Sequence, residues 1–108
     1  YMFHNLPALI TIEKIILNSA KTSTMGSMFS DLPLLENIII EGTIKVDGNF
    51  YLSGCPSLTI DSLMSFINAF EDNIGEETQY TVTLGTTNLA KLTPEQIAIA
   101  TSKNILLA

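Results

Sequence analysis

Apolar positions in the first half of the chain recur around proline. Phe3-His4-Asn5-Leu6-Pro7-Ala8-Leu9, Phe29-Ser30-Asp31-Leu32-Pro33-Leu34-Leu35 and Leu52-Ser53-Gly54-Cys55-Pro56-Ser57-Leu58 share one form. It runs apolar, two residues, Leu or Cys, Pro, one residue, Leu. The offsets between copies are 26 and then 23 residues, within the roughly 20–29 residues of a leucine-rich repeat. In the first two copies the last Leu is followed three residues later by Ile12 and Ile38. The third copy has Asp61 there, so the repeat breaks down after Leu58. Met25, Met28, Phe29 and Leu32 lie at i, i+3, i+4 and i+7, which predicts a short helical turn before the proline. Proline then stops the turn, because it pushes the preceding residue out of the α region. The Leu-x-x-Ile that follows predicts a strand. Each such unit exposes an apolar face that only a stacked neighbour can bury.

The second half has a different periodicity. Ile60, Leu63, Met64, Ile67 and Phe70 form a helical stripe, with Thr59 or Asp61 able to cap its start. Residues 71–79 are polar and contain Gly75, which predicts a loop. Tyr80-Thr81-Val82-Thr83-Leu84 alternates and predicts a half-buried strand. Thr93-Pro94-Glu95-Gln96 has the signature of a capping box with proline at the first helical position. Asn104 suits a left-handed stop, and Ile105-Leu106-Leu107 a final short strand. The expected fold class is therefore α/β. It is a leucine-rich repeat solenoid fragment over residues 1–58, with short parallel strands and short helices, closed by an α/β cap over residues 59–108. Tyr1-Met2-Phe3 begins inside a repeat, which predicts a piece of a longer protein with an apolar N-terminal edge able to self-associate.

Composition narrows the function. Only 15% of the 108 residues are charged, while 46% are hydrophobic. Leu and Ile number 14 each, and the polar surface comes mainly from 9 Ser, 12 Thr and 8 Asn. The net charge is −6, from five Lys against eleven Asp and Glu. That argues against nucleic acid, whose phosphates need Lys and Arg, and against anionic lipid. No apolar run is long enough to span a membrane. One Cys excludes an internal disulfide, and one Cys with one His cannot assemble a conventional structural zinc site.

The segment Met28-Phe29-Ser30-Asp31-Leu32-Pro33-Leu34-Leu35, with Met25 before it, resembles the BspA-like bacterial leucine-rich repeats. Leu52-Ser53-Gly54-Cys55-Pro56-Ser57-Leu58 is the nearest copy because it keeps the Cys of their pattern. The stretches Ser62-Leu63-Met64-Ser65-Phe66-Ile67-Asn68 and Leu84-Gly85-Thr86-Thr87-Asn88-Leu89-Ala90-Lys91-Leu92-Thr93 look like the C-terminal end of such proteins in bacterial genomes and prophages. Leu6 and Leu32 depart from the pattern by replacing Cys, and the spacing is irregular. The resemblance implies a curved solenoid on a bacterial surface or in a phage tail, used for attachment. It brings no catalytic residues and no cofactor.

Candidate chemistry is sparse. A catalytic role for His4 needs a Ser or Cys nucleophile brought near it, and the sole Cys lies about two repeats away along the stack, so His4 reads as an exposed loop residue. Cys55 takes the place of Leu6 and Leu32 and reads as a small core residue. Glu71, Asp72, Glu76 and Glu77 lack the alternating spacing of a calcium loop. Asp47-Gly48-Asn49 reads as a turn, and Gly85-Thr86-Thr87 lacks the lysine of a phosphate loop. The expected function is non-enzymatic binding of a host or cell-surface protein or glycan through the outward strand residues Thr11, Glu13, Asn37 and Glu41. The alternative is a purely structural cap of a longer solenoid or tail fibre, with recognition carried upstream.

Overall fold

A computed structural model describes residues 8–22, 29, 31–72 and 79–108. Strand β1 (Thr11–Lys21) pairs in parallel with β2 (Asn37–Lys45). A second parallel sheet has the order β3 (Phe50–Tyr51), β4 (Tyr80–Thr83), β5 (Ile105–Leu107). Helix α1 (Ile60–Ala69) lies between β3 and β4 in the chain. The short α2 (Thr86–Leu89) and then α3 (Pro94–Ser102) lie between β4 and β5. The architecture is mixed α/β, with short parallel strands and helices, as the alternation of periodicities predicts. The predicted turn through Met25 and Met28 and the N-terminal residues through Pro7 lie outside the described residues, while Leu9, the last position of the first Pro-centred segment, packs against the core.

Both predicted strand starts are in place. Thr11 faces Asn37 and Ile12 faces Ile38 across the ladder. The main chain continues the same stacking sideways. Glu36 N–H donates to Ile10 C=O at 2.8 Å, and Thr59 N–H donates to Glu36 C=O at 2.9 Å. Leu32 N–H reaches Gly54 C=O at 3.1 Å, and the Ser57 hydroxyl reaches Pro33 C=O at 2.6 Å. The second and third Pro-centred segments therefore lie side by side. The positions their alignment equates, Leu32 with Cys55 and Leu35 with Leu58, are all buried.

Two register shifts mark β1, one between Ile12 and Ile15 and one between Leu17 and Ala20. At the first, Glu13 and Lys14 together oppose Ile39. The extra residue turns both charged side chains outward and returns Ile15 and Leu17 to the core side, which strict alternation would not do. Near the second, Gly42 has φ 96°, and a Cβ there would sit 1.5 Å from the Leu17 carbonyl oxygen. Only glycine fits that approach.

Three rings from three parts of the chain centre the core. Phe29 packs edge-on to Phe50 at 6.3 Å and to Phe66 at 5.2 Å. Thr59, rather than Asp61, caps α1: its hydroxyl accepts from Ser62 N–H at 3.2 Å. Of the predicted stripe, Leu63, Ile67 and Phe70 are buried, Met64 is half-buried and Ile60 is exposed, while Phe66, outside that stripe, joins the core. The capping box is complete, since Thr93 accepts from Gln96 N–H and Gln96 accepts from Thr93 N–H. Asn104 takes φ 61°, the expected left-handed stop.

A buried amide joins the halves. Asn88 Nδ2 donates to the carbonyls of Leu52 (3.3 Å), Cys55 (3.0 Å) and Leu84 (3.0 Å), and its Oδ1 accepts from Lys91 Nζ at 3.1 Å. Asn88→Ala removes one donor from each of these carbonyls, of which Leu52 and Cys55 keep the N–H of Cys55 and Leu58, and is expected to lower stability by about 2 kcal/mol, read from the urea midpoint. Gly42→Ala is expected to cost at least as much, about 3 kcal/mol or more, with loss of amide exchange protection concentrated in β1 and β2.

Candidate functional site

The outer face of the β1–β2 sheet carries the side chains that the strand pattern turns away from the core. Thr11 and Asn37 are register partners at one end of it, and both are exposed. Glu41 is the partner of Ile16, and its carboxylate lies 3.4 Å from Lys14 Nζ. Glu13 stands on the bulge beside Lys14, opposite Ile39. All four residues expected from the sequence are thus exposed on two adjacent strands. Two apolar side chains share the face with them: Ile16 is 71% exposed and Ile39 57%. Neither isoleucine is marked as outward by its residue type, and strict alternation from Ile12 would turn Lys14 inward. The bulge that pairs two β1 residues with one on β2 has no residue signature within β1.

Beside this face, where β2 meets the start of α1, lies an open groove of about 370 Å³ lined by Asn37, Ile38, Ile39, Thr59, Asp61, Ser62 and Ser65. Its serines perform a structural task first. Ser62 Oγ accepts from Ile38 N–H at 3.0 Å, and Ser65 Oγ accepts from Ile40 N–H at 2.8 Å. These hydroxyls take the ladder bonds that another strand would take. Ser62 Oγ also donates to Glu36 C=O at 2.9 Å, so the 2.8 Å contact between Thr59 and Ser62 must be donated by Thr59. The Thr59 and Ser62 protons are therefore engaged. Among the described residues, the Asn37 amide, the Asp61 carboxylate and the Ser65 hydroxyl proton have no hydrogen-bond partner. The i, i+3 spacing of Ser62 and Ser65 was the available sequence signal, because it puts both on one helix face.

The remaining candidates are elsewhere. His4, Glu76 and Glu77 lie outside the described residues, while Glu71 follows the bridge from Phe70 to Ile44. Among the described residues no group of three metal-ligating side chains gathers. No helix is long and apolar enough to cross a membrane. Gly48 makes the bend expected at Asp47-Gly48-Asn49, tied down by Thr22, whose hydroxyl accepts from Asp47 N–H at 3.1 Å. Cys55 is fully buried and its thiol donates to Phe29 C=O at 3.0 Å.

No protein-family model, curated protein or solved structure matches the chain.

Burial pushes the Cys55 thiol from 9.0 up to about 11, against a smaller opposing contribution from the Leu32 backbone. The unfolded chain loses this proton near pH 9, while the folded chain keeps it. The stability it contributes is therefore complete below pH 9 and lost as pH rises through about 11. The difference in unfolding free energy between the wild type and Cys55→Ala is expected to shrink by roughly 3 kcal/mol across that window. At neutral pH, alkylation of Cys55 by iodoacetamide is expected to follow global unfolding, with the rate rising in step with the urea-unfolded fraction.

Proposed function

We propose that the chain is a non-enzymatic recognition module. In this reading the Pro-centred segments are rungs of a BspA-like leucine-rich repeat solenoid, and residues 59–108 close it as an α/β cap. The parent would sit on a bacterial surface or in a phage tail and engage a host or cell-surface protein or glycan. One observation carries the reading. Thr11, Glu13, Asn37 and Glu41 project from neighbouring parallel strands together with the exposed Ile16 and Ile39. A face with apolar and hydrogen-bonding groups side by side suits specific, reversible contact. The offsets support the repeat: Ile10, Glu36 and Thr59, joined by main-chain bonds, are separated by the same two intervals as the three prolines.

A second reading, the purely structural cap, draws on a different observation. Lys103 Nζ donates to the carbonyls of Ile67 (2.9 Å), Asn68 (3.3 Å) and Phe70 (2.8 Å), and Lys91 Nζ to those of Pro56 (2.9 Å) and Leu58 (2.6 Å). Both lysines bind the last helices to what precedes them, as a terminator would.

The two readings separate in one experiment. Replacing Thr11, Glu13, Asn37 and Glu41 together by Ala is expected to leave the melting temperature within about 3 °C. It is also expected to lower retention of the labelled chain on bacterial or epithelial cells by about tenfold or more. Unchanged retention overturns recognition through this face. If retention is unchanged while removal of residues 59–108 abolishes soluble folding, the cap reading stands alone.

A further inference from the structure

We propose that the groove between β2 and the start of α1 is a subsite for a neutral sugar, a single hexose residue of a glycan. The inference rests on the recognition reading above and names a ligand class for its face. Thr59 and Ser62 are consumed in holding α1 to the edge of β2. What remains around the groove is one carboxylate, one amide and one hydroxyl, from Asp61, Asn37 and Ser65. A carboxylate is an acceptor, a primary amide both donor and acceptor, and a serine that already accepts from a backbone N–H has its proton to give.

That set matches a polyol. Adjacent sugar hydroxyls each donate and accept, so a carboxylate can take two of their protons while an amide and a hydroxyl serve their oxygens. The groove also has an apolar wall in Ile39, 57% exposed, against which the C–H face of a pyranose can lie. Its volume, about 370 Å³, is at the small end of ligand sites, suited to one ring rather than an extended chain.

Charge selects among sugars. Asp61 lies in the groove, the chain carries −6 overall, and no lysine lines the cavity. Lys14, which stands opposite Ile39 on the face, is paired with Glu41. An anionic sugar would meet repulsion with no counter-charge, which favours neutral hexoses over sialic acid. No aromatic ring lines the groove either, so the main source of tight sugar stacking is missing. A single site of this kind binds in the millimolar range, and useful attachment follows from several sites presented together.

The test is a titration of the isotope-labelled full chain by NMR. The probes are methyl α-D-glucoside, methyl α-D-mannoside, methyl β-D-galactoside and N-acetylneuraminic acid, each to about 100 mM. The expected result is saturable shifts in the amides of Asn37, Ile39, Asp61 and Ser65 with at least one neutral hexoside, and at least about tenfold weaker binding of the anionic sugar. Asp61→Asn and Asn37→Ala are each expected to weaken that hexoside by about fivefold or more, with the remaining amide shifts in place to show an intact fold. No saturable shift with any neutral hexoside overturns the proposal, as do shifts confined to other residues or affinity indifferent to both variants. Its failure is distinct from failure of recognition. Cell retention that persists in Asp61→Asn and in the presence of about 100 mM hexoside, yet falls when Thr11, Glu13 and Glu41 are replaced, removes the sugar subsite and leaves the binding face.

Discussion

The exposed edge of β2 is the constraint on which the rest of the molecule depends. A parallel strand leaves a row of backbone donors and acceptors along each side, and a buried donor without a partner costs more than a formed bond returns. On one side β1 supplies the partners. On the other the chain stops making strand and makes a helix instead. Ser62 and Ser65 place their hydroxyls against Ile38 N–H and Ile40 N–H, and Ser62 closes the row by donating to Glu36 C=O. Strand-like pairing resumes only after the helix, where Phe70 bridges Ile44 and Glu71 N–H donates to Ile44 C=O at 2.8 Å. The helix thus takes over a strand's polar duties while bringing Phe66 against Phe29 and Phe50.

This division explains what could be read from the residues alone. Rules that act within a few residues were legible. Thr93, Pro94 and Gln96 announce a helix start because the capping box is closed locally, and Asn104 announces its end for the same reason. The strand starts at Ile12 and Ile38 were legible because an apolar residue at fixed distance from proline is also a local pattern. Features that depend on a distant partner were not. Gly42 looks like any strand glycine until the Leu17 carbonyl is placed against it. Asn88 looks like a loop amide until the carbonyls of Leu52 and Cys55 arrive from more than thirty residues away. Four residues, Thr86–Leu89, make a helix too short for any periodicity to signal. The four outward residues of the candidate face were legible from alternation. Their apolar companions Ile16 and Ile39 were not, because isoleucine in a strand is ordinarily assigned to the core.

The lysines tell a related story about charge. Lys91 and Lys103 each direct an ammonium at main-chain carbonyls rather than at carboxylates. Desolvation lowers the Lys103 pKa, with Asp72 opposing. The three carbonyls it meets belong to the end of α1, where the helix dipole is negative and the last carbonyls have no partners within the helix. The cation therefore acts as a C-terminal cap delivered from α3. Lys14 pairs with Glu41 on the sheet, and Lys21 and Lys45 are also engaged. With the few cations committed inward or paired, carboxylates, hydroxyls and amides supply most of the free polar groups on the surface of the described residues, beside exposed apolar side chains such as Ile16 and Ile39.

That surface and the edge of β2 meet in one place. A third strand against β2 would have offered backbone groups and filled the space beside it. A helix has a larger cross-section and reaches the same edge only through its side chains, which leaves a gap between its first turn and the strand. The groove is that gap. Its polar groups follow from the same substitution: hydroxyls stand in for backbone beside Ile38 and Ile39, and Asp61 occupies the first helical turn, where a negative charge is favoured by the helix dipole. Ending the parallel stacking with a helix therefore does two things at once. It seals the sheet edge against further pairing, and it leaves a concave surface directly beside the outward face of β1 and β2.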